Sequence, residues 1–378
     1  MIAGSFAQTY RAPWWLPGGN VQTLWAALAA KRHFGGAPAW QRSRWTTPDG
    51  DFIDVDAAQH ASAPGAPLLV LFHGLEGSSA SQYAVAFADF AASRGLAFAV
   101  PHFRGCSGEL NLAPRAYHSG DFHEIDWVLK RFAAEHPGRP LLAAGVSLGG
   151  NALLRWAGEM GEAAAQTVRA VAAVCSPLDL AAGGHAIGRG FNRLVYTRMF
   201  LKTMVPKALK KLEQHPGLFD RDALLAARDL YAFDNLFTAP LHGFRDTDDY
   251  WERASAKPVL RDIRIPALAL NARNDPFVPA ASLPTEADVG ASVTLWQPGQ
   301  GGHVGFPVSA GALGLPGHVR AMPEAVGCWL IAQLPPDAPS ALPPQGATPA
   351  ARQSRFRGVP GHAPSAAGDA GPNQKIGV

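Results

Sequence analysis

An α/β fold, a mostly parallel sheet with helices on both faces, is the class this chain predicts, and three observations predict it. Short apolar runs alternate with helix-spaced segments from about residue 67 to residue 297. One run, residues 141–146, leads directly into Gly145-Val146-Ser147-Leu148-Gly149-Gly150 and then into a helix-like stretch from Asn151. The composition, 47% hydrophobic over 378 residues, is enough to bury one large core and excludes a chain disordered throughout.

Residues 40–47 and 52–57 flank Pro48-Asp49-Gly50-Asp51, residues suited to a turn, and predict a hairpin that opens the sheet with two antiparallel strands. Residues 1–39 are read as an N-terminal extension packed on the core. Residues 67–72 form a buried strand, followed by a helix with Tyr83, Phe87, Phe90 and Ala91 on one face, and then a strand at 96–100. The spacing of Ile125, Val128, Leu129 and Phe132 predicts a helix over 121–134; the remaining strands fall at 141–146, 168–175, 265–271 and 292–297.

Between residues 184 and 255 the rhythm breaks into short helical patterns that mix apolar and basic residues, and an inserted helical cap explains this best. The core is then 40–183 together with 256–334. On the cap, Phe191, Leu194, Val195, Arg198, Lys202, Lys207, Lys210 and Lys211 read as an ordinary amphipathic face with solvated lysines or, functionally, as a substrate-gating lid or a face that touches a membrane surface transiently. From residue 335 on, the chain is rich in Pro, Ala, Gly and Ser and too poor in large apolar groups to offset its ordering entropy, so 335–378 are expected to be a disordered tail.

The strand, Gly-x-Ser-x-Gly, helix arrangement is a nucleophile elbow: the turn is sharp enough to hold the Ser147 hydroxyl out, and the glycines let strand and helix approach. A serine hydroxyl is a weak nucleophile, so it needs a base and a group to orient that base. Asp275, in the loop after the 265–271 strand, is the expected acid, because functional groups gather at the C-terminal ends of strands in α/β folds. His303, in Pro298-Gly-Gln-Gly-Gly-His303, is the expected general base, imidazole being the side chain that exchanges protons near neutrality. The oxyanion donors are expected from the backbone N–H of Leu148, after the nucleophile, and of Leu75, in the loop after the 67–72 strand.

Other polar residues read as structural. Asp179 is a second candidate acid but fits a helix N-cap better, and His73 fits a loop-shaping hydrogen-bond role. Arg104, at the end of the fourth strand, reads in two ways, as a guanidinium placed near the pocket or as a residue that holds loops through backbone carbonyls, and Ser119 or Asp121 is expected to cap the following helix.

Several function classes are excluded or not expected. Net charge is only +3, much of it in the C-terminal segment, which gives no electrostatic case for nucleic acid. Cys106, Cys175 and Cys328 are odd in number and far apart, which predicts reduced thiols rather than a disulfide framework. No apolar window reaches ~18 residues, and no secretory leader is evident, so a soluble cytoplasmic protein without an integral membrane segment is expected. No metal-ligand spacing or phosphate-binding glycine loop is present, so no cofactor is expected.

Taken together, Pro13-Trp14-Trp15-Leu16, Asn20-Val21-Gln22-Thr23-Leu24-Trp25, His73-Gly74-Leu75-Glu76-Gly77-Ser78-Ser79, His102-Phe103-Arg104-Gly105-Cys106-Ser107-Gly108, Tyr117-His118-Ser119-Gly120, the elbow with Asn151, and Asn274-Asp275-Pro276-Phe277 stand in an order that resembles the YheT-like α/β hydrolases. That group also includes yeast medium-chain ethyl ester synthases/esterases and mammalian α/β-hydrolase-domain phospholipases. The resemblance covers about residues 10–334. It implies an α/β-hydrolase fold with an inserted cap, and hydrolysis of carboxylic esters of short- to medium-chain acyl groups or lipids through Ser147, Asp275 and His303. Transfer of the acyl group to an alcohol by the same triad is the alternative enzymatic reading, and a non-catalytic scaffold is the alternative from another class. Asn274 departs from the pattern, which often has a second acid there, and the tail is foreign to it. Membrane-embedded members carry an N-terminal anchor with no counterpart here, so their location is not expected to transfer.

Overall fold

The computed structural model describes residues 5–309 and 317–336. Eight strands form one sheet: β1 (Trp40–Thr46), β2 (Phe52–Ala58), β3 (Leu68–Phe72), β4 (Ala97–Pro101), β5 (Leu141–Val146), β6 (Ala170–Val174), β7 (Ala267–Leu270) and β8 (Val293–Trp296). Their spatial order is β1-β2-β4-β3-β5-β6-β7-β8. The β1–β2 hairpin is antiparallel and joins the rest through an antiparallel β2–β4 pair; every later neighbour is parallel. The expected strands are all present, each differing from its sequence bounds by a few residues at most.

Period-two alternation divides β3 between two cores. Leu68, Val70 and Phe72 face one side, where they join Ile125, Val128, Leu129 and Phe132 and also Leu153 and Trp156. Leu69 and Leu71 face the other side, with Tyr83, Phe87, Phe90, Met322 and Trp329. The helices that supply those groups are α2 (Gln82–Arg94), α3 (Phe122–Glu135), α4 (Leu148–Met160) and α8 (Ala321–Ile331). An earlier helix, α1 (Gly18–Leu28), packs beside the C-terminal ends of the later strands, close enough that a Cβ on Gly19 would lie 1.8 Å from the Asn274 carbonyl oxygen. Only glycine fits that approach.

The chain from 180 to 254 is helical and contains no strand; its longer helices are α5 (Leu180–Ile187), α6 (Arg198–Gln214) and α7 (Thr247–Ala254). The lysines of α6 do not share one face. Lys207 and Lys211 turn inward to a cavity, whereas Lys202 and Lys210 are exposed. The expectation of a uniformly solvated basic face fails because α6 is covered on one side by the core loops it spans. Lys211 Nζ donates to the Asn111 and Ala113 carbonyls, and burial lowers its pKa to about 8.

Asp234 is half-buried on the cavity wall in this helical region, where it accepts hydrogen bonds from Thr238 Oγ1 (2.6 Å) and Trp251 Nε1 (2.9 Å). Burial pushes its carboxyl up to about 6, against the two hydrogen bonds that favour the charged form. An acid whose pKa is raised on folding is neutral in both states at low pH and costs stability once it must ionise. The protein is therefore expected to lose stability relative to an Asp234→Asn variant as pH rises from about 4 to about 6, and to show a constant difference above that. Thermal melts of the two proteins across this window check it; a difference that does not change with pH removes the idea.

The tail expected from residue 335 lies outside the described residues from 337 on. Among the described residues no helix is long and apolar enough to cross a membrane.

Candidate active site

β5 ends at Val146, and the next residue, Ser147, sits at φ 52°, ψ −119° before α4 begins. Such a conformation costs a non-glycine residue of order 1–3 kcal/mol and persists only where packing over-determines it. The packing is visible at Gly149, where an added Cβ would come within 2.6 Å of the Phe72 and His73 carbonyl oxygens at the end of β3. Strand, turn and helix are thereby clamped, and the Ser147 side chain is left at the floor of a cavity.

His303 Nε2 lies 3.0 Å from Ser147 Oγ, and His303 Nδ1 lies 2.9 Å from Asp275 Oδ2 and 3.1 Å from Oδ1. The three side chains expected from sequence are therefore brought together across 156 and 28 residues of chain. Asp275 Oδ1 also accepts from the N–H groups of Phe277 (2.8 Å) and Val278 (3.3 Å), which fixes the orientation of the carboxylate. The Phe277 ring packs on His303 with centroids 4.2 Å apart. Leu75 and Leu148 both line the cavity, and their N–H groups have no acceptor among the described residues.

The reason the histidine loop holds its shape was not legible in the elbow, acid and base motifs alone. Gln22 and Thr23 of α1 are buried. Thr23 Oγ1 accepts from His303 N at 2.8 Å, and Gln22 Oε1 accepts from Gly301 N and from Asn274 Nδ2, both at 2.9 Å. Asn274 Oδ1 in turn accepts from Gly302 N at 3.0 Å. One amide thus joins the acid loop to the histidine loop through α1, donating on one side and accepting on the other. A carboxylate could not donate, which gives Asn274 a physical role where the sequence had shown only a departure. Asn274→Asp is expected to lower kcat on a soluble ester by ~10-fold, the effect of breaking one buried hydrogen bond of ~1–3 kcal/mol next to the base. Steady-state kinetics check this, and an unchanged kcat would remove the role.

Cys175, the residue after β6, was also missed. It adopts φ 51°, and its Sγ accepts from Val304 N at 3.2 Å behind the histidine. Cys175, Asp275 and His303 present ligand-type atoms within 4.8 Å of one another. Burial and the adjacent Asp275 carboxylate hold the thiol well above the usual thiol range. That is the reverse of what a metal-bound thiolate requires.

The other sequence readings resolve as follows. His73 accepts from Phe103 N (3.0 Å) and bonds the Gly74 carbonyl (2.8 Å), and burial lowers its pKa to about 3, so it is a neutral loop-former. Asp179 and Asp121 are helix N-caps, for α5 and α3. Arg104 borders the cavity, as one of its two readings has it, whereas the expectation of backbone-carbonyl partners fails. It holds loops through the carboxylates of Asp49, Asp51 and Glu124, because the hairpin turn carries acids into the space beside it. Asn151 ties the elbow helix to the Ser119 and Ala254 carbonyls and to Ala256 N.

The cavity above Ser147 has a volume of about 1170 Å3 out to its open mouth. Its walls are mainly apolar, with Ile187, Phe200, Met204, Phe233, Phe237 and Phe277 prominent. Lys207 of α6 pairs with Glu76 (2.9 Å), the residue after Leu75, and Tyr117 OH bonds both the Glu76 carboxylate and its N–H. The helical region over the cavity is thus tied to the loop that presents the Leu75 amide.

A family model described as the α/β hydrolase fold matches residues 67–310. The chain belongs to the α/β-hydrolase family. Its relatives include the YheT protein of Escherichia coli (strain K12), 38% identical over 290 residues that span 76% of this chain and 84% of that one. The mouse phospholipase ABHD3 is 32% identical over 69% of this chain and 64% of its own length, and the monoacylglycerol lipase of Saccharomyces cerevisiae is 28% identical over 70% and 59%. Among solved structures, a membrane phospholipase A described as a bacterial virulence factor superposes with a TM-score of 0.50 at 17% identity, covering 83% of this chain and 90% of that one, which speaks for the fold alone. With this fold and these relatives the chain is an ester hydrolase in type.

Proposed function

We propose that the protein is a serine carboxylesterase that cleaves medium-chain acyl esters or lipid esters through an acyl-enzyme. The observation that carries the reading is the continuous contact from Ser147 Oγ to His303 Nε2 (3.0 Å) and from His303 Nδ1 to Asp275 Oδ2 (2.9 Å). Ser147 attacks the ester carbonyl while His303 takes its proton, and Asp275 holds the tautomer and stabilises the imidazolium. The oxyanion is held by the Leu75 and Leu148 amides. His303 returns the proton to the leaving alcohol, and water then releases the acid by the same steps in reverse order.

The apolar cavity supports an aliphatic acyl chain, and the relatives named as a phospholipase and a monoacylglycerol lipase support a lipid-like ester. On this reading residues 184–255 are the cap, inserted between the core segments 40–183 and 256–334. The protein's three unpaired cysteines, Cys106, Cys175 and Cys328, support a reducing, cytoplasmic setting. A fluorophosphonate probe is expected to label the wild-type protein and not Ser147→Ala. Turnover of p-nitrophenyl esters of graded length is expected to rise from acetyl to medium chains; a fall with length would exclude the acyl-chain assignment, and absence of labelling would exclude the mechanism.

A further inference from the structure

The cap and the N-terminal segment share an unusual charge pattern. No Asp or Glu occurs in residues 1–48 or in residues 180–212, although the second stretch carries Arg189, Arg193, Arg198 and Lys202. None of those four cations has a carboxylate partner among the described residues. Between them Phe191 and Leu194 are 51% and 58% exposed, and Met199 is exposed beside them. An outward row that alternates cations with uncovered apolar side chains is not what a face needs merely to stay in water.

The two acid-free segments meet. Tyr196 OH lies 3.0 Å from Asn20 Oδ1, and Leu24 of α1 packs into the cluster of Tyr196, Phe200 and Phe277. Val21 and Leu28, seven residues apart on the same side of α1, are both exposed, and Trp14 just before the helix is 88% exposed. The inner side of α6, through Phe200, Met204 and Lys207, is a wall of the cavity over Ser147, while its outer side carries Arg198, Met199 and Lys202. The exposed face and the substrate cavity are therefore opposite sides of one helix.

We propose that this face docks on an anionic lipid bilayer, with Phe191 and Leu194 entering the acyl boundary and Arg189, Arg193, Arg198 and Lys202 pairing with lipid head groups. Basic residues near an anionic surface each contribute ~1 kcal/mol, roughly 5-fold in partitioning, and interleaved apolar side chains add the part that salt does not screen. Charge complementarity selects the anionic surface; the apolar side chains distinguish a bilayer from other polyanions. The docking does not depend on the esterase reading.

Sedimentation of the full chain with vesicles tests it, using phosphatidylcholine alone and phosphatidylcholine mixed with phosphatidylglycerol. Binding is expected to the mixed vesicles only, reduced roughly 25-fold by R193Q/R198Q and restored by R193K/R198K, on the per-cation figure above. F191S/L194S is expected to weaken binding ~10-fold while leaving turnover of p-nitrophenyl butyrate and the melting temperature unchanged. Equal binding to both vesicle types, or binding indifferent to F191S/L194S, overturns the proposal. So does a full chain that binds no vesicle while a chain ending at residue 336 does, since the face would then belong to the tail.

Discussion

Ser147→Ala is expected to lower kcat for p-nitrophenyl butyrate by ~10⁶-fold, and His303→Ala by nearly the same factor, with the double variant no worse than either. The reason is geometric. Ser147 Oγ has its proton acceptor in one direction, His303 Nε2 at 3.0 Å, and that nitrogen faces the serine. Removing either partner removes one event, the transfer of the serine proton during attack, so the losses do not add. The Leu75 and Leu148 amides and the cavity remain in each variant, and they leave a residual rate above that in water of ~10³–10⁴. Additive losses in the double variant would mean that the two side chains act in separate steps, which the contact between them does not allow. The variants are expected to fold, because the strained turn at Ser147 is set by the close approach of Gly149 to β3 and not by the hydroxyl.

How much of this was legible depends on the range over which each signal acts. The strands β3 to β7 are apolar runs of four to six residues, each announcing itself locally. Ser147, Asp275 and His303 could each be placed because strand ends and glycine-rich loops carry functional groups in parallel α/β sheets. What holds His303 in position was not readable in that way. Thr23 bonds the His303 amide across 280 residues, and nothing in the neighbourhood of either residue states the pairing. The same holds for Arg104, two of whose three carboxylate partners lie on a hairpin turn 53 and 55 residues earlier. The direction of the α6 lysines was hidden too, since helical periodicity shows which residues share a face but not which face a neighbouring loop will cover.

The non-glycine residues at positive φ make a related point. Among the described residues they are Glu76, Ser147, Cys175, Val304 and Phe306, with φ between 41° and 57°. Four of them stand at or beside the site: Ser147 itself, Glu76 after Leu75, Val304 after His303, and Cys175 in contact with Val304; Phe306 lies three residues past His303. Backbone strain is concentrated where loops must present a specific N–H or side chain, and the two cores on either side of the sheet supply the rigidity that holds it. Local propensity alone would have relaxed all five.

Asp275→Asn is expected to lower kcat by ~10⁴-fold with KM changed only a few-fold, because the site dictates which way the amide must point. Oδ1 of the native carboxylate accepts from Phe277 N and Val278 N. An asparagine can satisfy those donors only with its oxygen, which turns its NH2 group toward His303 Nδ1. With NH2 in the nearer of the two positions, Nδ1 is favoured as an acceptor, so the imidazole proton shifts to Nε2, the nitrogen that faces Ser147 Oγ. A protonated Nε2 cannot take the serine proton, although every distance in the site is preserved. The opposite amide orientation would set NH2 against two backbone N–H groups in a buried loop, at a cost of ~1–3 kcal/mol for each unsatisfied donor. A variant with wild-type melting temperature and a kcat loss of this size is the expected result. A loss of less than ~10-fold, far below the tautomer effect, would mean that Asp275 positions the loop and takes no part in orienting the base.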